Sequence, residues 1–403
     1  MTFAAQGKFE NLSQERFSIQ IPGTMPDGLL RFGLGVTDEI VKHITANIQE
    51  KNNVLFIVDP VIRTLGSHCA MFDFLNKEGF TPDIFSEIEP EPSLETIQKL
   101  QDHIKDKIYC AVLGLGGGSS LDVAKFASIL YHCKCEPLEL IQGQIPISKA
   151  LPVFLIPTTS GTGSEVSPYI VLSHEGKKLF LQSSYAYATV ALVDPLLTMT
   201  MPAKVTAATG LDALSHGVEG VIGKDFPYTR ALSRECVKLV FNYLPRAVEN
   251  ADDVEARYYM AFASVLGMLA YSQGGGLYAH SVSYILTSAH KIPHGLGCGL
   301  ALPYTLKMNE SEVEDILADY GNTLHLNGQG KANSGKVILQ FYQLLQKVGV
   351  PVSLKEIGVS EEEIPHYAQS LLQDYFRARN PRNISMQDSI SLLQAMYAGE
   401  LQN

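Results

Sequence analysis

Asp212, His216, His280 and His294 are residue types that ligate divalent metals, and all four fall in a stretch whose patterning predicts helix. Three imidazoles and one carboxylate suit a borderline ion such as Fe²⁺ or Zn²⁺ and leave coordination positions for a substrate oxygen. The expectation is metal-assisted chemistry. In Gly210-Leu-Asp-Ala-Leu-Ser-His216 the Asp and His are four residues apart, which sets them on one helix face a turn from each other. Apolar Leu211, Leu214, Val218 and Val221 take the neighbouring face. Tyr278-Ala-His280-Ser-Val-Ser-Tyr284 also reads as helix, and Lys291-Ile-Pro-His294-Gly-Leu-Gly297 sets a third His at a Pro/Gly break where the backbone can bend. The competing reading is a set of ordinary core or surface histidines. Against it, the chain has only 11 His, and three of them stand here with a properly spaced Asp.

A second group of residues suits a phosphate ligand. Gly114-Leu-Gly116-Gly-Gly118-Ser-Ser120 and Thr158-Thr-Ser-Gly161-Thr-Gly163-Ser-Glu165 each follow a predicted strand directly. Loops of this kind bring backbone N–H groups close to a phosphate. A tight structural turn explains either loop alone; two in one α/β region favour a nucleotide. The first loop does not match the dinucleotide fingerprint, because Ser119 stands where the third glycine belongs and no acidic residue ends a strand about 20 residues later. Asp59, at the end of the strand Val54–Val58, is placed to accept hydrogen bonds from an adenosine ribose, or it is simply a turn residue before Pro60. A carboxylate at that ribose would repel a 2′-phosphate, which predicts NAD over NADP.

The elements that must hold these groups fall into two regimes. Up to about Pro195, strand-like runs (Val54–Val58, Tyr109–Leu115, Val153–Ile156, Val190–Val193) alternate with amphipathic helical stretches, which implies a Rossmann-like parallel α/β sheet. After Pro202 helical patterns dominate, among them Tyr228–Leu244, Val254–Tyr271, Val337–Val348 and Met386–Tyr397. The expected organisation is a dinucleotide-binding α/β domain over 1–195 and an all-helical metal-binding domain over 196–403. With 403 residues and 46% hydrophobic content the chain can bury a large core. A net charge of −11, from 31 basic and 42 acidic residues, argues against nucleic acid or an anionic membrane as the principal partner. No spanning apolar run and no leader-like segment is read, so the cytoplasm is expected. The six cysteines make no disulfide framework and are read as reduced thiols.

Arg31-Phe-Gly-Leu-Gly35, Gly116-Gly-Gly-Ser119, Pro157-Thr-Thr-Ser-Gly-Thr-Gly-Ser-Glu165, Val193-Asp-Pro195, Gly210-Leu-Asp-Ala-Leu-Ser-His216, Pro293-His-Gly295 and Asn380-Pro-Arg382 occur in this order along most of the chain. In this the sequence resembles the iron-containing (group III) alcohol dehydrogenases, relatives of lactaldehyde reductase and 1,3-propanediol dehydrogenase. The resemblance implies a dehydroquinate synthase-like fold, a homodimer, NAD(H), and catalytic Fe²⁺, with Zn²⁺ also compatible, on Asp212, His216, His280 and His294. It further implies that Asp59 faces the ribose and that Gly116, Gly117, Gly118, Ser119 and Asp122 belong to the pyrophosphate loop and its helix. Thr158, Thr159 and Thr162 would line the adenine and phosphate channel, and Lys178, in a segment read as irregular, would reach the cofactor. The alternative for Lys178 is a solvated charge beside Lys177. The implied reaction is hydride transfer between the nicotinamide and a small alcohol or aldehyde.

Some positions depart from the family pattern. Tyr284 stands four residues after His280, where many relatives carry a histidine; its hydroxyl could pass a proton, as expected in a hydroxyacid-oxoacid transhydrogenase-like branch, or the ring could simply pack. Tyr304 replaces another frequent histidine, and Tyr271-Ser-Gln273 replaces commoner pocket residues. Two further classes compete: a dehydroquinate synthase-like lyase, disfavoured by few basic residues near the metal motifs apart from Lys291, and a catalytically silent binder.

Overall fold

The computed structural model describes residues 9–12, 14–21, 28–326 and 331–401. The chain divides into two compact units, one of Met1–Thr159 with Gly163–Met199, the other of Ser160–Thr162 with Thr200–Asn403.

The first unit is built on nine strands: β1 Phe17–Ile21, β2 Gly28–Phe32, β3 Asn53–Val58, β4 Thr81–Phe85, β5 Tyr109–Gly116, β6 Val153–Pro157, β7 Tyr169–His174, β8 Lys177–Gln182 and β9 Val190–Val193. Seven form one sheet in the order β1-β2-β9-β6-β5-β3-β4. All its pairings are parallel except the β1–β2 edge pair. The sequence predicts the central strands because they are covered on both faces and therefore read as continuous apolar runs; Val54 to Val58 are all buried. It does not predict β7 and β8, an antiparallel pair outside the main sheet. The segment around Lys178, expected to be irregular, is in fact strand β8, whose half-exposed pattern lacks the apolar signal of a central strand.

The helices of this unit include α1 Ile40–Asn47, α2 Pro60–Leu65, α3 Cys69–Lys77, α4 Leu94–Ile104 and α5 Gly118–Cys133. Helix α5 is buried from Ser120 to Leu130, and it lies close to β5 because Gly114 has no side chain. A Cβ there would stand 2.7 Å from that of Ala124. Asp194, at the end of β9, accepts from the Gly35 amide (3.0 Å), the Thr37 hydroxyl (2.7 Å) and the Leu196 amide (3.1 Å). The Val193-Asp-Pro195 motif thus ties β9 to the turn after β2.

Within the second unit, α6 is Ala203–Gly223, α7 Pro227–Glu249, α8 Val254–Gly274, α9 Tyr278–His290, α10 His294–Met308, α11 Glu314–Thr323, α12 Lys331–Lys347, α13 Ile364–Gln373 and α14 Met386–Ala398. No strand is found among its described residues. Helix α6 is apolar almost all round, with Thr206 to Val221 buried apart from Thr209. Such a helix must be enclosed by others, here at backbone contact distance. A Cβ on Gly220 would stand 2.5 Å from the carbonyl carbon of Ala270, and one on Gly274 only 1.9 Å from the Gly220 carbonyl oxygen. The α6–α8 crossing therefore admits no side chain. Replacing Gly220 by Val is expected to destabilise the helical unit by about 1–3 kcal/mol, measured as the loss of far-UV dichroism in urea; an unchanged midpoint would mean that the crossing tolerates expansion.

Candidate active site

Helix α6 carries Asp212, His216 and Glu219 at steps of four and three residues, which stacks them on one face. All three are buried, with 2%, 5% and 2% exposure. Helix α9 supplies His280, and α10 begins at His294 after Lys291 takes a left-handed turn (φ 57°) and Pro293 caps the helix. The predicted bend beside His294 is this junction. Gly295 lets α10 start against α6, since a Cβ there would stand 2.2 Å from the Ala208 carbonyl oxygen and 2.7 Å from Asp212 Cβ.

In this group Asp212 Oδ1, His216 Nδ1 and His280 Nε2 are buried and have no hydrogen-bond partner. His294 Nε2 lies 3.7 Å and His216 Nε2 3.9 Å from Asp212 Oδ1, and the His216 and His280 rings are 4.9 Å apart. Buried polar atoms without partners carry a free-energy penalty of about 1–3 kcal/mol each. A divalent cation answers carboxylate and imidazole together, so these residues fit the metal. Asp212, His280, His294 and, in addition, Cys298 have donor atoms within 4.8 Å of one another. His216 lies beside that cluster, edge-on to Tyr271 at 4.7 Å.

Glu219 explains how His280 is oriented, and the sequence reading passed over it. Its carboxylate accepts from the Leu277 amide (2.8 Å), the Ala279 amide (2.7 Å) and His280 Nδ1 (2.5 Å). With Nδ1 donating to a carboxylate, Nε2 is the atom left to face the metal. Burial pushes the Glu219 carboxyl up to about 7, against the pull of those donors, and drives His280 well below its ordinary value. Ser283 does the same for His294: its hydroxyl donates to the His294 carbonyl (2.6 Å) and lies 2.9 Å from Nδ1. The signal for Glu219 was available, as an acidic residue seven positions after Asp212 in an otherwise apolar helix.

An aromatic wall flanks these imidazoles. Tyr284 stacks on His294, with ring centroids 5.3 Å apart and planes within 9°. The Arg377 guanidinium sits 5.5 Å over the Tyr284 ring, and its Nε donates to Ser281 Oγ at 2.7 Å. Burial pushes the Tyr284 phenol up to about 12, opposed by Arg377. Arg377, rather than Lys291, is thus the cation of this region. Tyr271 lies 4.9 Å from the His280 ring. Tyr304, the other departure noted in the sequence, is buried and donates to the Val352 carbonyl at 2.6 Å, a helix-anchoring bond.

In the first unit, Gly116, with φ +156°, turns the chain out of β5 where a Cβ would strike Asp59 and Ser120 at 2.7 and 2.8 Å. Gly117 caps α5 and Gly118 opens it, so the amides of Gly118 and Ser119 stand in the helix's first turn, where hydrogen-bond donors have no partner within the helix. The Thr158 amide donates to the Gly116 carbonyl at 2.9 Å, and Thr159 borders Gly117; Thr162 is in the short stretch that groups with the helical unit. Asp59 Oδ1 caps α2, accepting from the Val61 amide at 2.8 Å. Asp122 is committed within the protein: Oδ1 accepts from Ser164 Oγ (2.6 Å) and pairs with the buried Lys125 ammonium (2.9 Å), and Oδ2 accepts from the Val171 amide (2.9 Å). Its contacts anchor the segment that follows the second loop. Lys178 is not a solvated charge; its side chain is 6% exposed, paired with Glu91 and bonded to Ser173 Oγ at 3.0 Å. The Glu91 amide in turn donates to Ser119 Oγ at 3.3 Å, so one residue joins the glycine loop to Lys178.

Two family models divide the chain between them: "Iron-containing alcohol dehydrogenase" matches residues 29–195, and "Fe-containing alcohol dehydrogenase family, C-terminal" matches 206–397. The chain belongs to the iron-containing alcohol dehydrogenase family. It is an enzyme, an oxidoreductase of this NAD(H)- and Fe²⁺-dependent family. It is 32% identical to long-chain-alcohol dehydrogenase 1 of Geobacillus thermodenitrificans over 93% of this chain and 96% of that protein. Among solved structures of the family, it is similar to the alcohol dehydrogenase from Oenococcus oeni (TM-score 0.86, 26% identity, 91% of this chain and 98% of that one). It is also similar to the sulfoacetaldehyde reductase of Bifidobacterium kashiwanohense in complex with NAD⁺ (TM-score 0.81, 28% identity, 91% and 96%). The expected fold, an α/β part with a parallel sheet and a helical part, is that of the family.

Because Glu219 fixes the ring that presents Nε2, Glu219→Gln is expected to weaken metal binding by about 10–100-fold while leaving the helices folded. Competition between the protein and a chromogenic chelator for Zn²⁺ measures it, with Glu219→Asp recovering part of the loss. An unchanged Zn²⁺ affinity would leave Glu219 a purely structural role.

Proposed function

We propose that this protein reduces short aldehydes, and oxidises the corresponding alcohols, by hydride transfer to and from NAD(H) at a metal held by Asp212, His216, His280 and His294. The observation that carries the reading is that Asp212 Oδ1 and His280 Nε2 are buried without hydrogen-bond partners in a cluster whose donor atoms, with those of His294, lie within 4.8 Å of one another. In this assignment residues 1–195 bind the dinucleotide and 196–403 hold the metal and substrate. The chemistry of a divalent iron, when bound, is Lewis-acid polarisation of the substrate oxygen.

The protein's own groups then do the following. Glu219 and Ser283 hold the two imidazoles in the tautomer that ligates. The amides at Gly118 and Ser119, with the close approach that Gly116 and Gly117 permit, take the pyrophosphate. Thr158 and Thr159 border the loop, Lys178 is held near it through Glu91, and Asp122 fixes the loop's frame. Asp59 takes the adenosine ribose through the carboxylate oxygen not used to cap α2. Tyr284, its phenol neutral at physiological pH, exchanges the proton that accompanies hydride transfer. The working form is a homodimer in the cytoplasm. Among the described residues, no helix is long and apolar enough to cross a membrane.

Chelation is expected to abolish NADH oxidation with short aldehydes, and Fe²⁺ to restore it. The Asp212→Ala/His280→Ala pair should lose about 100-fold or more in rate while still binding NADH by fluorescence. Turnover surviving in that pair would overturn the metal assignment. Asp59→Asn keeps an N-cap acceptor but removes the charge, so the NADH-over-NADPH preference in kcat/KM should fall about tenfold or more; an unchanged ratio would return Asp59 to its capping role alone.

A further inference from the structure

We infer that Cys298 is a ligand of the same metal, which makes the centre an oxygen, nitrogen and sulfur site rather than one of carboxylate and imidazole only. The inference rests on the metal assignment proposed above and goes beyond it. Cys298 is one helical turn after His294 on α10, so the two side chains project from one face. Its Sγ is 3.6 Å from His294 Nε2, and Asp212 Oδ1 is 3.7 Å from the same nitrogen. A tetrahedral ion with bonds of about 2.0–2.3 Å to oxygen, nitrogen and sulfur holds its donors about 3.4–3.6 Å apart. The two separations just given are near those edges. The four donors of Asp212, His280, His294 and Cys298 all lie within 4.8 Å of one another, and two of them, Asp212 Oδ1 and His280 Nε2, are buried without hydrogen-bond partners.

The chain's other buried cysteine provides the contrast. Cys236 is packed in the helical core and its Sγ donates to the Ala213 carbonyl at 3.4 Å. Cys298 is equally buried, but its sulfur meets an imidazole. Neither is in a disulfide.

When the metal–sulfur bond forms, the S–H bond breaks and its proton leaves to solvent; no electrons are transferred. Asp212 and the Cys298 thiolate then supply two negative charges against a divalent ion, giving a neutral centre where one carboxylate and three imidazoles would leave it cationic. A softer donor set raises the preference for Zn²⁺ and Co²⁺ over Fe²⁺. His216 becomes the additional donor, beside the four.

The full-length protein, freed of metal and titrated anaerobically with Co²⁺, tests this without recourse to activity. The expected spectrum has visible d–d bands together with a near-ultraviolet sulfur-to-cobalt charge-transfer band. Cys298→Ser should keep one Co²⁺ per chain and the visible bands but lose the near-ultraviolet band, with Zn²⁺ affinity lower by about tenfold or more and Fe²⁺ affinity changed less. Visible bands without the charge-transfer band in the wild-type protein would overturn the inference and leave the metal assignment intact. A charge-transfer band that persists in Cys298→Ser would also overturn it. Failure of the wild-type protein to bind Co²⁺ would remove both. The wild-type spectrum decides even where the variant does not fold.

Discussion

The organisation of the helical unit follows from a polar cluster placed where an apolar core would be more stable. Asp212 and His280 are almost fully enclosed and their inward atoms have no protein partner. Groups in that position are tolerated only if something outside the chain completes them or the surroundings hold them rigidly. The structure does the second with Glu219, whose carboxylate engages two amides and an imidazole at once. It also does so with glycines that bring α6, α8 and α10 to backbone contact, which denies the helices the slack to let water in. Affinity for a cation and intolerance of a Cβ at Gly220 or Gly295 are two sides of one constraint.

The first unit solves a different problem with similar means. At the end of β5 the chain stops short of filling the space in front of it. Gly114 and Gly116 remove side chains at the helix and at the turn. Glu91, in a left-handed conformation (φ 62°), then ties Ser119 and Lys178 to one another. Lys125, fully buried, bonds to Asp122 and to the Ser164 and Tyr169 carbonyls, which fixes the strand pair carrying Lys178 against α5.

How much of this was legible in the sequence depends on how local each signal is. Strands β3, β5, β6 and β9 announce themselves as apolar runs, and the Asp212–His216 spacing is a property of a single helix, so both could be read directly. The hairpin holding Lys178 has no such signature, because its residues alternate in exposure and its partner strand is the only thing that makes it regular. Arg377 carries no local pattern at all and reaches Tyr284 from the segment after α13, far along the chain, whereas Cys298 stands four residues after His294, a spacing as local as that of Asp212 and His216. Tyr304 and Asp122 are the reverse case. Tyr304 was noted as a departure and Asp122 was expected beside the cofactor loop; Tyr304 bonds to Val352, and Asp122 to Ser164 and Val171. Glu219 was legible in retrospect, since a carboxylate on an all-buried helix needs a reason.

The separation of the donors along the chain has a consequence for the stability of the helical unit. Asp212 comes from the first helix of its unit, and His280 and His294 come only after two further long helices have been formed and packed against it. No single helix supplies Asp212, His280 and His294 together, and an unfolded chain offers a metal nothing better than isolated imidazoles and a carboxylate. The cluster exists only in the folded helical unit, so an ion held there would favour that unit over the unfolded chain.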